Sequence, residues 1–246
     1  MKIQSTKNFG QDRLKLLVFG DSGHGKTRLA VTLKDTLIIS AESGLKTVSD
    51  HDISVIDVTL DDNGNVIPRH ERDVRIFEVY NYLQTPEAIG KYKNIFIDSL
   101  SEINDNLIEK YQLLHPEQKD SFVMWNHVNK AMNALIRAFR DLPHYNVIFT
   151  ALESQDKDEN GKFFKGPLMK PKSFAEDVLK FFDYVWFIQK PESHEKPKIL
   201  TQPTSTIRAK SRITPEIELL QWEEPDLTLL INKVTKQQPK QNLKGE

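Results

Sequence analysis

The sequence predicts an α/β fold: a mainly parallel sheet flanked by helices, with antiparallel strands added at one edge. Three observations lead there. Apolar runs of four to six residues alternate with longer stretches of helical spacing between residues 14 and 150. Such alternation is how parallel strands joined by helical crossovers read in sequence. After residue 183 the pattern becomes two short apolar runs around a Pro-containing turn, which suits an antiparallel pair. Of the 246 residues 38% are apolar and 28% charged, a balance that fills one sizeable core.

Each element follows from its residues. Residues 14–19 (LKLLVF) form a buried strand closed by glycine, and 26–33 (KTRLAVTL) have helical spacing. Residues 36–40 (TLIIS) and 53–58 (ISVIDV) are further buried strands. Asp61, Asp62, Asn63 and Gly64 signal a turn. Residues 73–83 are helical, and 94–97 (NIFI) make a strand ending at Asp98. Residues 100–114 and 122–142 are amphipathic helices, and 146–150 (NVIFT) another strand. Residues 153–173 are polar, with an Asn160-Gly161 turn, and are expected as a loop. A short helix over 174–182, paired strands over 184–189 and 198–202, and a last helix over 225–234 complete the order. One domain is expected over residues 1–235, followed by a disordered, mildly basic tail over 236–246.

Composition removes several classes. The net charge of −1 excludes a strongly basic coat for nucleic acid and a polyacidic chain, although balanced totals can hide local patches. With no cysteine there are no disulfides, thiolate nucleophiles or cysteine-bound metals, which agrees with a reducing cytoplasm. No apolar run approaches the ~20 residues that cross a bilayer, and the polar N-terminus lacks a signal-peptide stretch, so no membrane partner is expected.

The strongest motif is Gly20-Asp21-Ser22-Gly23-His24-Gly25-Lys26-Thr27, which fits G-x-x-x-x-G-K-[ST] at every fixed position. It follows an apolar strand and opens a helix, the context a phosphate-binding loop requires. Its glycines let successive N–H groups point at phosphates, Lys26 supplies charge, and Thr27 offers a hydroxyl to Mg²⁺. Nucleotide contacts are therefore expected from residue 20 through Arg28, with ATP and Mg²⁺ as cofactors; the His24 imidazole is given no chemistry of its own.

A second metal group should be a carboxylate at the end of a buried strand. Asp98 fits, with Asp57 as a rival and a helix cap as its plainer role. Ser99 follows where many such ATPases carry a catalytic Glu, so the base that activates water must come from elsewhere. Glu42, just after the second strand, is the candidate, and Glu102 the weaker one.

The order of phosphate loop, Ala41-Glu42-Ser43-Gly44, Ile97-Asp98-Ser99 and Arg208-Ala209-Lys210-Ser211-Arg212 resembles the RecA-like recombinase ATPases. Within them it is similar to compact phage-encoded ATPases described as AAA domain proteins, including single-strand annealing proteins of the Sak group. The resemblance spreads over roughly residues 12 to 235. It implies a RecA-like P-loop NTPase core, assembly into a ring or filament, and single-stranded DNA as partner, with a single-strand-binding protein as an accessory one. It also implies that Arg208, Lys210 and Arg212, alternating on a strand, reach phosphates held by the neighbouring subunit; the alternative is a solvated basic edge. Thr150 and Glu153, at the end of their strand, would sense the γ-phosphate, or Thr150 simply serves β-propensity.

Lys162, Phe163, Phe164 and Lys165 lie in the stretch that follows. Cations beside aromatics suit a single strand, whose backbone follows charge and whose bases stack on rings. Lys157, Lys170 and Lys172 add charge, while Asp156, Asp158 and Glu159 oppose it; the alternative is an ordinary hairpin with its rings on the core. Two other functions compete. A nucleotide-switched regulator reading guanine would need Asn-Lys-x-Asp, but Asn232-Lys233-Val234-Thr235 lacks the final carboxylate. A small-molecule kinase would want an Arg-rich lid, whereas residues 153–173 offer lysines. Trp125, Trp186 and Trp222 read as core or interface, and the scattered histidines, His194 included, carry no metal spacing.

Overall fold

The computed structural model describes residues 13–118, 120–157, 161–191, 196–213, 215 and 217–235. The expected tail over 236–246, the N-terminal stretch before Arg13, and Asp158, Glu159, Asn160 and His194 lie outside the described residues.

The chain runs β1 (Lys15–Gly20), a 3-10 segment (Thr27–Thr32), β2 (Thr36–Ser40), β3 (Ser54–Asp57), α1 (Arg72–Tyr82), α2 (Pro86–Lys91) and β4 (Asn94–Asp98). There follow α3 (Leu100–Leu114), α4 (Ser121–Arg140), β5 (Asn146–Lys157), β6 (Phe163–Pro167) and α5 (Lys172–Asp177). A 3-10 segment (Val178–Phe181), β7 (Tyr184–Gln189), β8 (Lys198–Leu200), β9 (Lys210–Ser211), β10 (Trp222–Glu223) and α6 (Leu227–Thr235) close the order. The sheet order is β10-β8-β7-β1-β5-β4-β2-β3. From β7 to β3 every pairing is parallel, while β8 and β9 join β7 antiparallel and β10 joins β8 antiparallel. The fold is therefore the expected α/β one, with antiparallel strands at one edge.

Strand alternation assigns each residue to one of two cores. Leu17, Phe19, Ile39, Ile97 and Phe149 face α1, α3, α4 and α5. Leu16, Val18, Ile38, Phe96 and Ile148 face the 3-10 segment after the phosphate loop and α6. At the N-terminal edge a buried amide relay ties together the starts of four strands. Asn146 accepts from the Leu14 N–H at 2.9 Å and donates to Asn94 at 2.8 Å, and Asn94 donates to the Lys34 carbonyl at 2.6 Å. Buried amides satisfied in this way specify register, since a slip would strand them without partners.

Several expectations need correction. The helix expected over 26–33 is a 3-10 turn. The segment is short, carries three β-branched residues, and Thr32 turns its hydroxyl onto the Leu29 carbonyl at 2.7 Å, which favours tighter winding. The strand expected to stop at 150 continues to Lys157, because Glu153–Lys157 pair antiparallel with β6. The loop expected over 153–173 is thus a hairpin followed by the first residues of α5. The basic segment forms only the two-residue β9. Helix α2 escaped sequence reading, although Thr85 capping the Ala88 N–H and Pro86 in the first turn are its signal.

Candidate functional site

Parallel strands end at one edge of a sheet, so residues that follow them in different parts of the chain converge there. Gly20 ends β1, Asp98 ends β4, Glu42 lies two residues beyond β2, and Ser40 is registered opposite Asp98. Gly23 and Gly25 take φ of +75° and +97°, the left-handed region that lets the loop curl. Lys26, 9% exposed, turns its ammonium back onto the loop and donates to the Gly20 and Asp21 carbonyls, each at 2.9 Å. Burial lowers its pKa, and the nearby carboxylates of Asp98, Glu42, Asp21 and Glu153 oppose that shift.

The Thr27 hydroxyl donates to Asp98 Oδ2 at 2.6 Å, although 71 positions separate the two residues. From the other side the Thr150 hydroxyl donates to Asp98 Oδ1. Asp98 is thus held at both oxygens. A hydroxyl and a carboxylate side by side, next to a lysine and a phosphate loop, are the donor set that Mg²⁺ and a nucleotide need. Asp57, the rival carboxylate, is spent on Ser43 at 3.0 Å and on the Thr59 hydroxyl at 2.6 Å.

Glu42 meets Ser99, whose hydroxyl donates to Glu42 Oε1 and whose Oγ also caps the Glu102 N–H at 3.4 Å. Desolvation is the largest influence on the Glu42 carboxylate and raises its pKa; the Ser99 hydrogen bond opposes this and the Asp98 charge adds to it. Glu102, the rival base, is engaged by Arg69 at 2.9 Å and Arg72 at 3.5 Å.

The remaining expected residues take the following places. Arg28 turns away from the loop to Asp50 at 3.3 Å and the Thr47 carbonyl at 2.8 Å. Thr150 is fully buried beneath Asp98. His24 Nδ1 is buried without a hydrogen-bond partner in the loop. Because β9 runs antiparallel to β7, successive cations step away from the phosphate edge. Arg208 sits over the Phe164 ring at 4.4 Å, Lys210 donates to the Phe182 and Leu179 carbonyls at 2.6 and 3.1 Å, and Arg212 pairs with Asp183 at the opposite edge, at 2.8 Å. Burial lowers the Lys210 pKa, helped by Arg212.

The hairpin divides the residues expected to hold DNA. Phe163 is 51% exposed with the Lys157 ammonium 4.7 Å from its ring centre. Phe164 points to the other face, under Arg208. Lys165 pairs with Glu153 at 2.9 Å and lies 5.3 Å from the Phe187 ring centre. Lys172 and Lys170 pair with Asp156 and Asp105, each at 2.9 Å. Lys162, beside Gly161, begins the approach to β6. Sequence reading missed Ser99, whose only signal was the serine standing before a helix.

A family model described as the AAA domain matches residues 12–213. The chain belongs to the AAA domain family. This AAA domain is also similar to the prototypical ATPase from the type III secretion system of pathogenic bacteria, at 15% identity and a TM-score of 0.47. The match covers 73% of this chain and 52% of the other, so the chain spans about half that ATPase's length. A KaiC-like protein from the hyperthermophilic archaeon Pyrococcus horikoshii OT3 is similar at 14% identity and a TM-score of 0.41, covering 82% of this chain and 84% of that one. No curated protein matches. No helix among the described residues is long and apolar enough to cross a membrane.

Proposed function

We propose that this AAA domain, occupying residues 1–235, is a P-loop ATPase that uses ATP with Mg²⁺ and works on single-stranded DNA in recombination, annealing or repair. In this reading it acts in the cytoplasm as a RecA-like homo-oligomer of the phage-encoded, Sak-like kind. One observation carries the nucleotide half: Thr27 and Asp98 meet at 2.6 Å beside Lys26, with Glu42 oriented by Ser99. Thr27 and Asp98 would hold Mg²⁺, which would neutralise the charge that develops on the phosphate oxygens. Lys26 would leave the loop carbonyls for the β- and γ-phosphates. Glu42 would take the proton from the attacking water, and the raised pKa of its carboxylate makes it a better acceptor. Arg208 would add charge from a neighbouring subunit.

The DNA half rests on the resemblance and on the exposed Phe163 with its lysine neighbour. The test is ATP hydrolysis with and without single-stranded DNA. Wild type should turn over ATP, faster with DNA, and Lys26→Ala should lose about a hundredfold or more. Full hydrolysis by Lys26→Ala would overturn the site; a wild-type rate and affinity indifferent to DNA would overturn the DNA reading alone.

A further inference from the structure

The edge of the sheet opposite the phosphate loop carries a second charged feature. The start of β1, the end of α4 and the approach to β7 enclose a cleft of about 400 Å³. Five cations line it, Arg13, Lys15, Arg140, Lys180 and Arg212, against two carboxylates, Asp141 and Asp183. The whole chain has a net charge of −1, whereas the lining of this cleft carries more cations than carboxylates. Both carboxylates are already matched: Arg140 grips Asp141 at 2.6 and 2.8 Å, and Arg212 holds Asp183 at 2.8 Å.

The cations are also held in place. Arg137, Lys180 and Arg140 gather around the Phe181 ring, 5.3, 5.7 and 5.9 Å from its centre. Lys15 donates to the Leu142 and Tyr145 carbonyls at 2.9 and 3.1 Å. Like charges gathered in a concave surface repel one another at a cost to the fold. An anion that enters the cleft removes that cost and gains fixed donors. The Lys180–Asp177 pair, at 2.8 Å, is a solvent-exposed ion pair of the weak kind that a phosphate can displace. The volume exceeds that of one phosphate, which favours a chain of them, and a concave cleft admits one strand more readily than a duplex.

We propose that this cleft is a second nucleic-acid contact, binding the phosphodiester backbone of single-stranded DNA at the sheet edge remote from the ATP site. It rests on the single-strand reading above but locates a contact away from the β5–β6 hairpin. Arginine forks suit phosphate oxygens, and the distance from the phosphate loop keeps strand binding separate from the reacting groups. Burial lowers the Lys15 pKa to about 8; Asp141 and Asp183 oppose that shift, and Arg140 and Arg13 reinforce it. Strand affinity should therefore fall as the pH rises through about 8, where Lys15 gives up its charge well before an ordinary lysine would.

The test is anisotropy of a labelled oligothymidylate as salt is varied. Arg13→Gln with Lys180→Gln should weaken binding and make the log–log salt slope shallower by about 1.4, the counterions of two phosphate contacts. ATP hydrolysis without DNA should be unchanged, which shows the variant folded. Lys130→Gln with Lys91→Gln, equal in charge removed, should leave the slope alone. Between pH 7 and 9 wild type should lose affinity and Lys15→Met should not. If wild type binds DNA and the Arg13/Lys180 variant keeps its slope, the cleft is overturned while the single-strand reading stands. If wild type binds inorganic polyphosphate but no DNA, both fall.

Discussion

At the scale of single residues, the most consequential is Ser99. One hydroxyl caps α3 and orients the carboxylate of Glu42, so a fully buried small side chain links helix, strand end and candidate base. Ser99→Ala should cost about 1 kcal/mol of stability through the lost cap, read by urea unfolding. It should also slow hydrolysis about tenfold with ATP affinity retained, because the carboxylate loses its orientation. In a Glu42→Gln background, already at least a hundredfold slower, Ser99→Ala should cost stability but no further rate. If the rate losses multiply instead, Ser99 does not act through Glu42. The roles proposed for Lys26, Thr27 and Asp98 were legible because a spacing motif and a strand-ending carboxylate carry their own chemistry. That of Ser99 was not, because a serine before a helix looks like any cap until its second acceptor is known.

At the scale of elements, the phosphate loop is fixed by the strand beside it. A Cβ on Gly20 would meet the Ile188 carbonyl oxygen at 2.3 Å and Ile188 Cγ2 at 2.9 Å. The first glycine of the motif is therefore required by close approach of β7 as well as by the turn. Gly20→Ala should push β1 from β7 and destabilise by about 1–3 kcal/mol in urea unfolding, with ATP affinity falling in step. Unchanged stability would mean that the two strands separate without cost. The hairpin β5–β6 teaches the complementary lesson. Its lysines and phenylalanines looked like one surface in sequence, yet pairing alternates them between faces and seats Lys165 on Glu153. Cross-strand pairing decided this, and alternation cannot be read across a segment taken for a loop.

At the scale of the whole molecule, the cations of the Arg208 segment bear on assembly. Arg208 meets Glu176 at 3.5 Å with both side chains substantially exposed, so it is readily released to a neighbour. Lys210 and Arg212 are held within their own chain. If a subunit boundary completes the site, Lys26→Ala and Arg208→Ala proteins should each be nearly inactive, and their mixture should regain measurable turnover. A mixture that stays inactive, with wild-type rate per chain independent of concentration, would leave Arg208 without a role across the boundary.

The amino-acid sequence by itself determined the α/β class, the run of parallel strands from β1 to β5, the phosphate loop and the candidate metal carboxylate. Those depend on local patterns: apolar runs, helical spacing, glycines at fixed intervals. Only the tertiary structure decided that Thr27 reaches Asp98, that Thr150 braces Asp98 from beneath, and that Ser99 holds Glu42. It alone decided that Arg212 pairs with Asp183 at the edge opposite the phosphate loop, lining one cleft with Arg13, Lys15, Arg140 and Lys180. The physical reason is that hydrogen bonds and charges act over a few ångströms in space. Strand pairing sets those distances, between residues far apart in the chain.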